Sequence, residues 1–202
     1  MAVSRATDKA QATRATLLDV AADTFEQDGY GATSVRDLAD RSGMTTGAIY
    51  AHFRGKANLL AEAVKLRLER DLEEYGRRRY GHATLADWLA RNFRDYRHRR
   101  AMRALLVEGA AAARMDEHAR QLLREVLAAK QTEWAASYRE IWASEGLDPE
   151  VDPAVFMELL WAAELGFGVM EAYGIEPPKP NVLSRAVGRI VSSLGSGGPA
   201  PH

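Results

Sequence analysis

The stretch SVRDLADRSGMTTGAIYAHFRGK, residues 34–56, decides how the rest of the chain is read. Ser34 stands three residues ahead of Asp37, the spacing of a capping box at a helix start. Val35, Leu38 and Ala39 follow at helical spacing, which predicts a helix over 35–42. Gly43 falls where a tight turn between two helices needs a residue tolerant of positive φ. Thr45, Thr46 and Gly47 then open a second short helix over 45–52; small polar residues cap such a helix and let it approach a surface closely. Ile49 and Phe53 share one face at i, i+4 spacing, and Tyr50 and His52 fall off it. Two short helices around a glycine turn describe a helix-turn-helix.

Working outward, Leu17, Leu18, Ala21, Ala22 and Phe25 form the apolar stripe of a preceding helix over 13–27. Gly29 takes its C-cap position, and Tyr30 is expected to plug a small three-helix core. TTGAIYAHFRGKANLL resembles the reading helix and following loop of the TetR family of bacterial transcriptional regulators. Thr45, Gly47, Ile49, Tyr50, His52, Phe53 and Lys56 carry the resemblance, which runs from about Thr13 to Val64. It implies that Arg36, Thr45, Thr46, Gly47, Tyr50, His52 and Lys56 line a DNA interface, while Val35, Leu38, Ile49 and Phe53 hold the core. The residue types suit that role, since hydroxyls and polar ring tips bond phosphates and base edges, and Gly47 removes bulk. Few arginines stand on the reading helix, so phosphate contacts are expected to supply much of the affinity and to make it salt-dependent.

The remainder reads as helical throughout, so the fold class is all-α. Helices are expected over 56–75, with an interruption at Gly76, and from Thr84 or Asp87. Others are expected over 101–114, 116–144, 152–173 (opened by Asp152-Pro153, an N-cap followed by proline at the first helical position) and 181–194. The expected division is a flexible arm over 1–12, a DNA-binding head over 13–80, a regulatory and dimerisation part over 81–194 and a flexible tail over 195–202. Arg5, Lys9 and Arg14 place cations on or beside the arm, within reach of phosphates or a minor groove; an arm without a role is the competing reading.

At 202 residues, 47% apolar and 27% charged, the composition is that of an ordinary globular protein. The absence of cysteine excludes disulfides and thiolate metal sites and fits a reducing cytoplasm. No apolar run is read as long enough to span a bilayer, so no membrane partner is expected. Net charge is −1, but residues 34–56 carry +2 and residues 140–180 carry −8, with nine acids against Lys179. A basic head on an acidic body suits a DNA reader with a separate sensing part, although acidic helix faces are also simply solvated. No Gly-rich phosphate loop or His-Glu metal spacing occurs, and the histidines lack obvious partners. An enzyme is therefore not expected, and neither is a cofactor.

The resemblance further implies a homodimer through the last two helices, with Phe156, Leu159, Leu160, Phe167 and Val187 as interface residues. It also implies a small-molecule pocket among the middle helices. Trp88, Phe93, Tyr96, Met102, Met115, Trp134, Tyr138 and Trp161 supply an apolar or aromatic lining, with Glu108 to orient a polar or cationic group; such residues at helical spacing also serve as plain core. A ligand-responsive repressor on a palindromic operator is the expectation, and an activator or partner-controlled regulator without a small ligand is the alternative.

Overall fold

The structure is a computed structural model and describes residues 2–79 and 84–194. Among them are nine α-helices, with no strand: α1 (Ala2–Asp28), α2 (Val35–Ser42), α3 (Thr46–His52), α4 (Lys56–Arg79), α5 (Leu85–Arg94), α6 (Arg100–Met115), α7 (Glu117–Glu145), α8 (Pro153–Ala172) and α9 (Pro180–Ser193). A 3₁₀ turn, Tyr96–Arg99, leads into α6. The expected boundary near residues 80 and 81 and the expected tail over 195–202 lie outside the described residues.

Most helices begin where a side chain satisfies the first free N–H groups. Ser34 and Asp37 form a reciprocal capping box on α2. Thr45 caps α3 through Ala48 N–H, Thr84 caps α5 through Asp87 N–H, and Asp152 caps α8 ahead of Pro153. Gly43 ends α2 at φ 68°, the left-handed conformation that the turn requires.

Two boundaries differ from the sequence reading. α1 starts at Ala2 rather than near Thr13, so residues 2–12 are helical. The stretch lacks glycine and proline and is rich in alanine, which favours helix even without an apolar stripe. α4 runs through Gly76 to Arg79, because one glycine costs only about 1 kcal/mol against alanine and does not by itself stop a helix.

The chain divides into two compact units, and the division is not a single cut in the sequence. One comprises Met1–Glu69 with Ala104–Leu127, the other Arg70–Arg103 with Ala128–His202. In the first, Leu17, Phe25, Leu38, Ile49, Phe53 and Leu59 are fully or almost fully buried, joining α1, α2, α3 and the start of α4 in one core. In the second, Leu85, Trp88, Leu89, Phe93, Ile141, Trp142, Phe156 and Val191 form the core cluster. α5 packs along α9, and a Cβ on Gly188 would stand 3.3 Å from the Ala90 methyl, so glycine permits that close approach.

The second unit also encloses charge. Arg103 is fully buried, and its guanidinium bonds both oxygens of Glu171 at 2.7 and 3.0 Å, with further bonds to Tyr96 O at 2.7 Å and Glu164 at 3.3 Å. Arg99, also buried, bonds Glu164 and the Asn92 carbonyl. Two arginines thus balance two carboxylates, which is what allows the four charges to leave water together.

α8 corrects the expectation about membrane-spanning length. Its 20 residues are long and apolar enough, by length and composition, to cross a bilayer. Glu164 and Glu171, however, tie one of its sides to buried arginines within the unit. Its other side exposes Val155, Leu159 and Val169 beside Ala162, Ala163 and Gly166.

Candidate nucleic-acid interface

The core of the first unit sorts the residues of α2 and α3 into two sides. Leu38, Ala39, Ile49 and Phe53 point inward and are buried. Arg36, Thr45, Thr46, Gly47 and His52 are exposed, and Tyr50 is exposed to 58% of its surface although it is a large aromatic. Thr45 already spends one lone pair on the α3 cap, 3.1 Å from Ala48 N, so its hydroxyl hydrogen remains to donate outward. Nothing on this side crowds Gly47, where a Cβ would meet only the Thr45 hydroxyl at 3.9 Å. Arg54, which the sequence reading counted only as a charge, is exposed immediately after α3 and adds a cation to the same end. It follows Phe53, the extended residue that ends α3.

Two other cations of the head are occupied. Arg41 pairs with Asp28 at the end of α1. Arg14, expected near the arm and phosphates, instead pairs with Glu62 and lies 5.1 Å over the Phe53 ring. The Arg5 and Lys9 side chains lie outside the described residues.

Lys56 stands apart from the other interface candidates. It is half-buried at the start of α4, its Nζ donates to Tyr30 O at 2.7 Å, and it sits 4.2 Å above the Tyr30 ring. Burial pushes its ammonium below the usual lysine range, and the Asp116 carboxylate acts against that shift.

Tyr30 collects further contacts within the same unit. Its N–H donates to Glu108 at 3.0 Å, and its hydroxyl donates to Asp116 at 2.9 Å. Burial, reinforced by Asp116, pushes the phenol well above its ordinary value. Asp116 is held below the usual carboxylate range by the Ala119 N–H first and then by the Tyr30 hydroxyl. Tyr30 fills the three-helix core as expected, with its ring 5.7 Å from Phe25.

Glu108, expected to orient a polar or cationic group, accepts the Tyr30 backbone N–H. Glu108 and Met115 belong to the first unit, whereas the other lining candidates belong to the second. Met115, the last residue of α6, is 89% exposed and lines no enclosed space. Trp88 and Phe93 are part of the second unit's core and Tyr138 packs against it, while Tyr96 and Met102 are buried, with Arg103 5.1 Å over the Tyr96 ring. Trp134 and Trp161 do come together, with ring centres 4.7 Å apart, and the enclosed Trp134 indole N–H has no acceptor among the described residues.

The expected interface residues separate in the same way. Phe156 is buried against Trp142 and Tyr138, and Leu160, Phe167 and Val187 pack against the same cluster, so these four serve the chain's own core. Leu159 alone of the five is exposed, at 65%. The exposed apolar side of α8 follows Val155, Leu159, Ala162, Gly166 and Val169, one position round from the expected one, and α9 exposes Val182 and Ile190.

Residues 17–63 match the family described as "Bacterial regulatory proteins, tetR family". Over these residues the head is similar to the heads of TetR-family regulators. It is 45% identical over 58 residues to the HTH-type transcriptional regulator AcrR of Shigella flexneri, covering 29% of this chain and 27% of that protein. It is 42% identical over 52 residues to the HTH-type transcriptional repressor KstR2 of Rhodococcus jostii, covering 26% of each. The chain thus aligns with about a quarter of the length of these relatives. Beyond the head the likeness is one of fold. A crystal structure described as a TetR-family regulator from Rhodococcus sp. superposes with a TM-score of 0.76 at 20% identity, over 91% of this chain and 98% of that one. FadR of Bacillus subtilis, solved with stearoyl-CoA, superposes with a TM-score of 0.70 at 18% identity, over 88% and 97%.

Proposed function

We propose that this chain is a dimeric DNA-binding transcriptional regulator, a repressor that a small apolar or aromatic effector releases from a palindromic operator. The observation that carries the reading is the sorting of α2 and α3. Their apolar residues are consumed by the core, and their outer side presents Arg36, Thr46, Gly47, Tyr50 and His52 to solvent. A small reading helix with an exposed aromatic, a glycine and hydroxyls has the chemistry of a groove contact, with Arg36 and Arg54 to bond phosphates or guanine edges. Lys56 keeps two ammonium hydrogens beyond its bond to Tyr30 O and adds a phosphate contact at the start of α4.

One such head spans only a few base pairs, so two heads on an inverted repeat are the economical arrangement. The exposed apolar side of α8, with Val182 and Ile190 on α9, supports a second copy of the chain as its cover. The effector reading is supported by the Trp134–Trp161 pair and its unanswered indole donor, and by relatives of the same fold solved with stearoyl-CoA and with choline. Release then works as a population shift: the effector favours a dimer whose heads are wrongly spaced for the operator. The test is fluorescence anisotropy of a random-sequence duplex at low and moderate salt. Binding that falls steeply with salt is expected; no binding at low salt contradicts the proposal.

A further inference from the structure

Tyr30 is one residue in a turn, yet every polar group it owns is engaged by a different element of the first unit. Its N–H meets Glu108 of α6, its carbonyl meets Lys56 of α4, and its hydroxyl meets Asp116 at the corner between α6 and α7. The turn itself is closed by Thr33, whose hydroxyl donates to Gly29 O at 2.8 Å. Gly29 has φ 82°, a conformation that disfavours any other residue, and a Cβ there would stand 3.3 Å from Glu108 Oε2, close enough that the carboxylate would have to shift by a few tenths of an ångström. Asp116 divides its oxygens between two roles. Oδ1 accepts the Ala119 N–H and caps α7, while Oδ2 accepts the Tyr30 hydroxyl. The carboxylate that fixes where α7 begins is therefore the one that fixes where the α1–α2 turn sits.

We propose that Tyr30 is a positioning residue for DNA reading: through Asp116 and Glu108 it locks the α1–α2–α3 head to the α6–α7 corner. The inference rests on the proposed function for its DNA consequence, but the lock itself does not. Core packing alone would be satisfied by phenylalanine at this position, since Tyr30 is 8% exposed and its ring lies against Phe25. What the hydroxyl adds is direction, a single acceptor on a helix-start residue. The lock sets the angle at which α3 is offered, and hence how strictly the protein measures the distance between two half-sites.

The test uses the full chain, whose lack of cysteine makes site-directed spin labelling clean. Labels at Ala51→Cys on α3 and Arg124→Cys on α7 stand at exposed positions of the same unit. Pulsed-EPR distances are read within single chains, after dilution with unlabelled protein and without DNA. Tyr30→Phe removes only the hydroxyl. Asp116→Ser keeps a capping oxygen for α7 but is too short to reach Tyr30. The expected result is a narrow distance distribution in the parent and a clearly broadened or doubled one in each variant. The double variant should be no broader than either single one. Unchanged widths in both variants overturn the lock, whatever the protein does with DNA. On an operator recovered from random duplexes, the parent is expected to prefer the selected half-site spacing over one lengthened by one base pair. Tyr30→Phe is expected to lose at least about threefold of that preference while binding an isolated half-site as the parent does. An unchanged preference, or an equal loss on the isolated half-site, overturns the positioning role. Failure of the parent to select any duplex while the distances broaden sinks the DNA reading and leaves the lock standing.

Discussion

Arg103 grips Glu171 with two parallel bonds, Nε to one carboxylate oxygen at 3.0 Å and a terminal nitrogen to the other at 2.7 Å, and Arg103 has no solvent exposure at all. Only a planar guanidinium matches a carboxylate in this way, and an ammonium of similar length cannot also reach Tyr96 O. Removing one partner of a buried pair strands the other. Arg103→Met is therefore expected to cost about 3–5 kcal/mol in urea unfolding, and Arg103→Lys to recover only part of it. Pairing Arg103→Met with Glu171→Leu should restore most of the loss, because no charge is then left alone. A loss below about 1 kcal/mol for the single variant would contradict the enclosed pair.

Leu159 projects from α8 with 65% of its surface exposed, between Val155 and Ala162 on the same side. Leu159→Glu places a charge in the proposed dimer contact without touching the chain's own core. It is expected to convert a dimer to a monomer in sedimentation equilibrium, with an unchanged helical CD spectrum. Phe156→Ala should instead unfold the second unit, since Phe156 packs on Trp142 inside it. A dimer that survives Leu159→Glu undiminished would place the contact elsewhere.

These two residues also show how far the sequence could be read. The start of α8 was legible because Asp152-Pro153 is a local signal, as was the α2–α3 motif, where Ser34, Gly43 and Thr45 act on neighbours three or four residues away. The outward side of α8 was not legible. The helix is apolar nearly all round, so spacing alone does not choose between Phe156–Leu160–Phe167 and Val155–Leu159–Ala162. The choice is made by Arg103 and Arg99, which draw Glu164 and Glu171 inward from more than sixty positions along the chain. Tyr30 was read correctly as a core plug, while its partners Glu108 and Asp116, 78 and 86 residues away, gave no local sign.

Lys56 joins two roles that one substitution can separate. Its Nζ holds Tyr30 O at 2.7 Å, so Lys56→Ala is expected to lower stability by about 1–2 kcal/mol in urea unfolding. As a phosphate contact it should also weaken DNA binding nearly equally across sequences and reduce the salt slope by about 1. An unchanged slope with reduced stability would leave Lys56 as a structural tie alone.

Asp116 makes stability depend on acid. Its folded pKa is depressed, by the Ala119 N–H above all and then by the Tyr30 hydroxyl. A depressed carboxylate contributes stability that is present above its unfolded pKa of about 4 and is lost as pH falls through the folded value. The stability gap between the parent and Asp116→Ser should therefore be full near neutral pH and shrink below about pH 4. Tyr30 works in the opposite direction: its raised pKa gives stability that is full below about pH 10 and declines above it. Urea unfolding across pH checks both, and a gap that widened in acid would contradict the assignment of Asp116.

If the outer side of α2 and α3 reads DNA as one half of a pair, selection from random duplexes will show it. The parent chain is run in parallel with an Arg36→Ala/Thr46→Ala/Tyr50→Ala variant. The parent is expected to enrich an inverted repeat, and the variant, still folded by CD, to enrich none. A parent that enriches nothing over background, or a variant that recovers the same repeat, would contradict the assignment of that surface to DNA.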